Sequence, residues 1–126
     1  MQQLMELRFS EPVLVDGDRL VELCVRLGES KAEEMIAVTI DQLWQGLEKL
    51  REHYGDGRLD QLADLAQNMS NNTENLGLLQ FAGVARDVEA CAIRLDGPAL
   101  GACLCRLHRI ADGSIDSVWD MCNISC

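Results

Sequence analysis

Apolar residues recur along this chain at helical spacing, in five stretches separated by short polar or glycine-containing breaks. The first stretch is Leu20, Leu23, Cys24 and Leu27, which predicts a short helix capped by Asp16 or Asp18 and stopped at Gly28. Ser30-Lys31-Ala32-Glu33 has the form of a capping box, so a second helix is expected to start at once. Its apolar stripe is Met35, Ile36, Ile40, Leu43, Leu47 and Leu50, and it should run to His53 or Tyr54, where Gly55-Asp56-Gly57 breaks it. A third helix begins near Arg58. Leu59, Leu62, Ala66, Met69, Thr73 and Leu76 form one continuous face, and Asn75-Leu76-Gly77 closes the segment. The fourth is expected from about 78 to 95, with Phe81, Ala82, Ala85, Val88, Ala92 and Leu95 inside. Asp96-Gly97-Pro98 reads as a stop followed by a start, because proline suits the first turn of a helix. The last helix, about 98 to 121, carries Leu100, Cys103, Leu104, Leu107, Ile110, Ala111, Ile115 and Val118.

Short loops force long neighbouring helices to run antiparallel. The predicted fold class is therefore all-α: an antiparallel up-down four-helix bundle with an additional short N-terminal helix. Residues 1–12 read as a lead-in that Pro12 ends, 13–122 as one domain, and 123–126 as a tail. Val13 to Val15 would be a short extended piece on the body, and Trp119 would lock down the last helix.

Composition supports helices. Aromatic residues make up only 4% of the chain against 48% hydrophobic, so Leu, Ile, Val, Met and Ala must fill the core. The net charge of −10 argues against nucleic acid and against an anionic membrane surface, both of which need a basic face. Six cysteines are spread through apolar helical stretches with no CxxC pair. Cys103 and Cys105 would point about 200° apart on a helix, too far to share a metal. Met1 to Ser10 has neither the basic start nor the apolar run of a secretory leader, so free thiols in a reducing cytoplasm are expected. On that basis the glycosylation-like triplets at Asn68, Asn71 and Asn123 carry no meaning. No cofactor is expected, and a monomer is expected rather than a dimer.

The stretch Gln67-Asn68-Met69-Ser70-Asn71-Asn72-Thr73-Glu74-Asn75-Leu76-Gly77 adds a more specific signal. With Leu59 to Ala66 before it and Leu79 to Glu89 after it, the chain resembles the histidine-containing phosphotransfer (HPt) domain of bacterial multistep phosphorelays. That family carries H-x-L-K-G-S-S-x-x-L-G on its third helix. The resemblance covers about residues 13 to 121. It implies that Gln67 stands at the phosphoacceptor histidine, Ser70 at the lysine that neutralises the phosphoryl group, and Asn71 at the glycine that lets a partner approach. Met69, Leu76 and Gly77 keep the structural positions. It also implies a partner, the receiver domain of a response regulator or of a hybrid histidine kinase. That partner would meet Ala63, Asp64, Gln67, Asn68, Asn71, Asn72 and, from the next helix, Arg86.

The chemistry of position 67 decides against transfer. A neutral imidazole nitrogen has a lone pair with which to attack phosphorus. The carboxamide nitrogen of Gln67 has its lone pair delocalised into the carbonyl and is not a nucleophile. It imitates hydrogen-bond contacts and nothing more. The expectation is a pseudo-phosphotransfer module that binds a receiver domain and is not an enzyme. Because three motif positions differ together, Gln67 reads as natural rather than as a single designed change. Two alternatives stand beside it. One is a helical interaction or oligomerisation protein, for which Trp44 and Ile124 are candidate contacts. The other is a true phosphotransferase using a displaced histidine, His108 before His53. His53 sits where a cation suits a helix C-terminus. No phosphate loop, HExxH or GxSxG motif is present, and the acidic pairs Glu33/Glu34 and Asp60/Asp64 read as solvated helix faces.

Overall fold

The computed structural model describes residues 16–125, and the side chains of 16–113. The predicted lead-in over 1–12, the extended piece at Val13 to Val15, and the side chains of Ile115, Val118, Trp119 and Ile124 lie outside the described residues. Among the described residues there are five helices and no strand: α1 (Gly17–Leu27), α2 (Glu29–Asp56), α3 (Leu59–Asn75), α4 (Leu79–Ile93) and α5 (Gly97–Ser125). The helices pack as a bundle. α1 touches α2, α2 touches α3, α3 touches α4, α4 touches α5, and α5 returns to α2. The backbone of α5 stays helical to Ser125, past the expected start of a tail at 123.

Each helix starts and stops for a local reason. Asp16 caps α1, its side chain accepting hydrogen bonds from the backbone N–H groups of Asp18 and Arg19. Gly28, at φ +83°, joins α1 to α2 in a conformation that strongly favours glycine. The expected capping box does not form there. Ser30 lies inside the first turn of α2, and Gly28 holds the N-cap position with no side-chain hydrogen bond. Three helix ends then share one device. The N–H groups of Arg58, Leu78 and Asp96 reach back to the carbonyls of His53, Thr73 and Cys91. Those of Gly57, Gly77 and Leu95 reach the carbonyls of Tyr54, Glu74 and Ala92. These are Schellman closures, and the residue at the left-handed position is Gly57, Gly77 and Leu95 in turn, at φ +73°, +91° and +57°. Leu95 was expected inside; it is 71% exposed, because a left-handed turn residue leaves the helix before the core face comes round again.

The predicted stripes form the core, with exceptions at their margins. Ile36, Ile40, Leu43, Leu47 and Leu50 of α2 are buried, as are Leu62, Ala66, Met69, Thr73 and Leu76 on the third segment. Phe81 is the largest fully buried side chain. Met35 and Leu27, at the margins of their stripes, are exposed instead. Burial of roughly 25 cal/mol per Å² across this cluster is the main stabilising term. Two close approaches set the spacing. At Gly46 an added Cβ would lie 2.8 Å from Met69 Sδ, so the thioether fills the place of the missing side chain between α2 and α3. At Gly77 a Cβ would meet the Asp16 carbonyl oxygen at 2.9 Å, and the Asp16 N–H donates to the Gly77 carbonyl at 2.8 Å, docking α1 on the end of the bundle.

Candidate functional site

α3 is the helix on which the sequence placed the site. Its buried residues Leu62, Ala63, Ala66, Met69, Ser70 and Thr73 face inward. That fixes its rotation and turns Asp64, Gln67, Asn68, Asn71 and Asn72 outward, all five exposed. Asp64, Gln67, Asn68 and Asn71 fall at i, i+3, i+4 and i+7, so they make one strip about two turns long. Asn72 widens it by one position. The strip is carboxamide through its centre, with the Asp64 carboxylate towards the helix N-terminus.

Two residues expected at the site are not on that strip. Ala63 is 8% exposed and Ser70 2%. Ser70 Oγ donates to the Gln67 carbonyl at 2.7 Å, and Thr73 Oγ1 donates to the Met69 carbonyl at 2.7 Å. Each buried hydroxyl is thus satisfied within its own helix, which lets a polar residue face the interior. The reason for the inward turn is that α3 has a neighbour on each side, α2 and α4. The α3–α4 contact is the most extensive in the bundle, and small residues permit it: Ala63, Ala66 and Ser70 on α3, Ala82 and Ala85 on α4. The side chain at position 70 therefore belongs to the packing.

Arg86 of α4 is half exposed and already engaged. Its guanidinium lies 2.7 Å from the carboxylate of Glu74 on α3. The pair bridges the two helices beside the strip. A surface ion pair of this kind adds little stability, about 0–1 kcal/mol, but it holds the arginine in one place. Glu74 was not expected at the site. Its spacing from Asn71 was a usable signal, but the cross-helix partner was not visible in a linear pattern. Asn75 is also exposed at the far end of the strip.

The histidines lie elsewhere. His108 is on α5, exposed, with its ring edge-on to Trp44 of α2 at a centroid distance of 5.9 Å. It lines a groove between α2 and α5 of about 730 Å³, together with Leu47, Arg51, Tyr54, Gly101, Ala102, Leu104, Cys105 and Arg109. Tyr54 closes one end of it, donating to the Gly97 carbonyl at 3.4 Å, over Gly101, where a Cβ would stand 2.9 Å from the tyrosine oxygen. None of the groove residues is on α3 or α4. His53 is half-buried near the C-terminus of α2, and its Nδ1 is buried without a hydrogen-bond partner. No group of three or more His, Cys, Asp or Glu side chains among the described residues is placed to hold a metal. Nor is any helix among them long and apolar enough to cross a membrane.

Comparison with known proteins gives no match: no family model, no curated protein and no solved structure aligns with the chain.

Proposed function

We propose that this chain is an HPt-like, up-down helical module of a two-component phosphorelay that binds a receiver domain and transfers no phosphoryl group. The observation that carries the reading is the exposed amide strip of Gln67, Asn68, Asn71 and Asn72 at the centre of α3, set on a fully packed core. Asparagine is a weak helix former, and three such residues in five positions cost the helix roughly half a kcal/mol each relative to alanine. That cost at an exposed site favours a contact role for the amides. Amides donate and accept hydrogen bonds at the reach of an imidazole without its nucleophilic lone pair. The partner is the receiver domain of a response regulator or hybrid histidine kinase, met in the cytoplasm.

The test mixes the purified chain with phosphorylated receiver domains and measures both complex formation and label transfer. The reading expects a complex and no label. Asn71→Arg, which places a bulky cation in the strip, is expected to weaken that complex at least tenfold, about 1.4 kcal/mol, with the helical circular dichroism unchanged. Label that disappears in a His108→Ala variant would replace the reading with a displaced-histidine phosphotransferase. A second reading, an interaction protein unrelated to phosphorelays, is favoured by the α2–α5 groove, whose apolar floor of Leu47, Ala102 and Leu104 is open to a partner. It predicts association that Ala102→Arg abolishes and Asn71→Arg leaves intact.

A further inference from the structure

Cys91 is buried on α4 and Cys103 is half-buried on α5, and their sulfurs face each other at 3.9 Å across the helix pair. The two residues are 12 positions apart, on either side of the Leu95 turn. The Arg94 guanidinium donates to Cys91 Sγ at 3.6 Å, placing a cation where a thiolate would form. The other described thiols are differently placed: Cys24 is on α1, and the exposed Cys105 lines the α2–α5 groove. Burial first, and then the hydrogen bond with Cys91, push the Cys103 thiol above its ordinary value, while the nearby Arg106 opposes the shift.

We infer that Cys91 and Cys103 are an oxidation site: an oxidisable dithiol that reacts with a small-molecule disulfide to close a covalent link between α4 and α5. Cys103 reacts first because its sulfur is the one a small molecule can reach: the small fraction present as thiolate attacks one sulfur of glutathione disulfide, and the Arg94 cation favours the Cys91 thiolate for the second step. A mixed disulfide forms, and one glutathione leaves as thiolate and takes up the proton that Cys103 lost. The Cys91 thiolate then attacks Cys103 Sγ. The second glutathione leaves and takes up the Cys91 proton. Two cysteine thiols are oxidised, and one glutathione disulfide is reduced to two thiols. A disulfide needs its sulfurs at about 2.05 Å, so closing the link from 3.9 Å takes side-chain rotation at the half-buried Cys103 with local adjustment of the two helices.

The experiment treats the reduced full-length chain with glutathione disulfide, blocks the remaining thiols, and maps the peptides by mass spectrometry. The expected product has lost two hydrogens and contains a linked Cys91–Cys103 peptide pair. It should form at least about tenfold faster in the folded chain than in urea, because the fold holds the sulfurs together. Its Tm should rise by about 10 °C over the reduced chain. A variant with Cys24, Cys105, Cys122 and Cys126 changed to serine should behave alike, and Cys91→Ser should stop at a glutathione adduct on Cys103. A stable adduct on wild-type Cys103, a link between other cysteines, an equal rate in urea, or a lowered Tm would each overturn the inference. If the quadruple variant does not fold, the peptide map of the wild-type chain decides alone.

Discussion

Gly57, Gly77 and Leu95 occupy the same left-handed position in three copies of one helix-ending motif, so they can be compared directly. A side chain there costs about 1–2 kcal/mol through the clash of Cβ with the following carbonyl. Leu95 bears that cost with its side chain 71% exposed, gaining little burial in return. Leu95→Gly is therefore expected to stabilise the chain by about 0.5–1 kcal/mol, after allowing for the extra freedom of glycine when unfolded, and thermal unfolding would show it as a higher Tm. Gly77 is the opposite case. Its Cβ would add the same backbone cost and meet the Asp16 carbonyl at 2.9 Å, a backbone atom that cannot rotate away. Gly77→Ala should cost about 2 kcal/mol or more in urea unfolding, with α1 the first element to lose hydrogen-exchange protection.

At the scale of the helix, α3 shows how rotation about an axis assigns roles. Its apolar stripe in sequence is Leu59, Leu62, Ala66, Met69, Thr73 and Leu76, and that stripe is where the core lies. The buried band is wider than the stripe, taking in Ala63 and Ser70, because α4 packs closely along the adjoining side. The resemblance to the HPt motif puts a lysine at position 70, and here that position is 2% exposed. Ser70→Lys is thus expected to destabilise the chain by about 3 kcal/mol or more, since an ammonium would have to be buried or α4 displaced. A midpoint in urea lower by 1 M or more, at an unchanged slope, is the outcome that denaturation should show. By the same geometry Gln67→His alone is not expected to install efficient transfer: it restores a nucleophile without a cation beside it.

For the whole molecule the dominant fact is charge. A net −10 on a chain of this size makes the compact state repel itself, and salt screens exposed charges over about 10 Å at 0.1 M. Raising sodium chloride from 20 to 500 mM should therefore raise Tm by a few degrees, as a calorimetric scan would record; a fall would mean that ion pairs such as Arg86–Glu74 outweigh the repulsion. The same charge gives the cationic groups of the α2–α5 groove, Arg51 and Arg109, their distinctness from the surrounding surface.

The helices, their order and most of the core were legible in the sequence, because a period of 3.6 residues and a few Gly, Pro and Asp breaks are local signals. Asp16 as one of two candidate caps, and Gly57 and Gly77 as stops, followed from them. Three things did not. The capping box at Ser30 gave way to Gly28, since the tight α1–α2 joint needs a conformation that strongly favours glycine. Leu95 has the spacing of a core residue, but nothing in a leucine signals that its backbone turns left-handed. Ser70 and Ala63 went inward and Arg86 was drawn to Glu74, because the side of a helix that is covered depends on which other helices lie beside it. The sequence by itself determined where each helix lies and which stripe it buries; only the tertiary structure decided how wide each stripe is, which amides remain on the surface, and that Cys91 meets Cys103. Periodicity is a property of one helix, whereas burial at its margins and the pairing of distant side chains are properties of its neighbours.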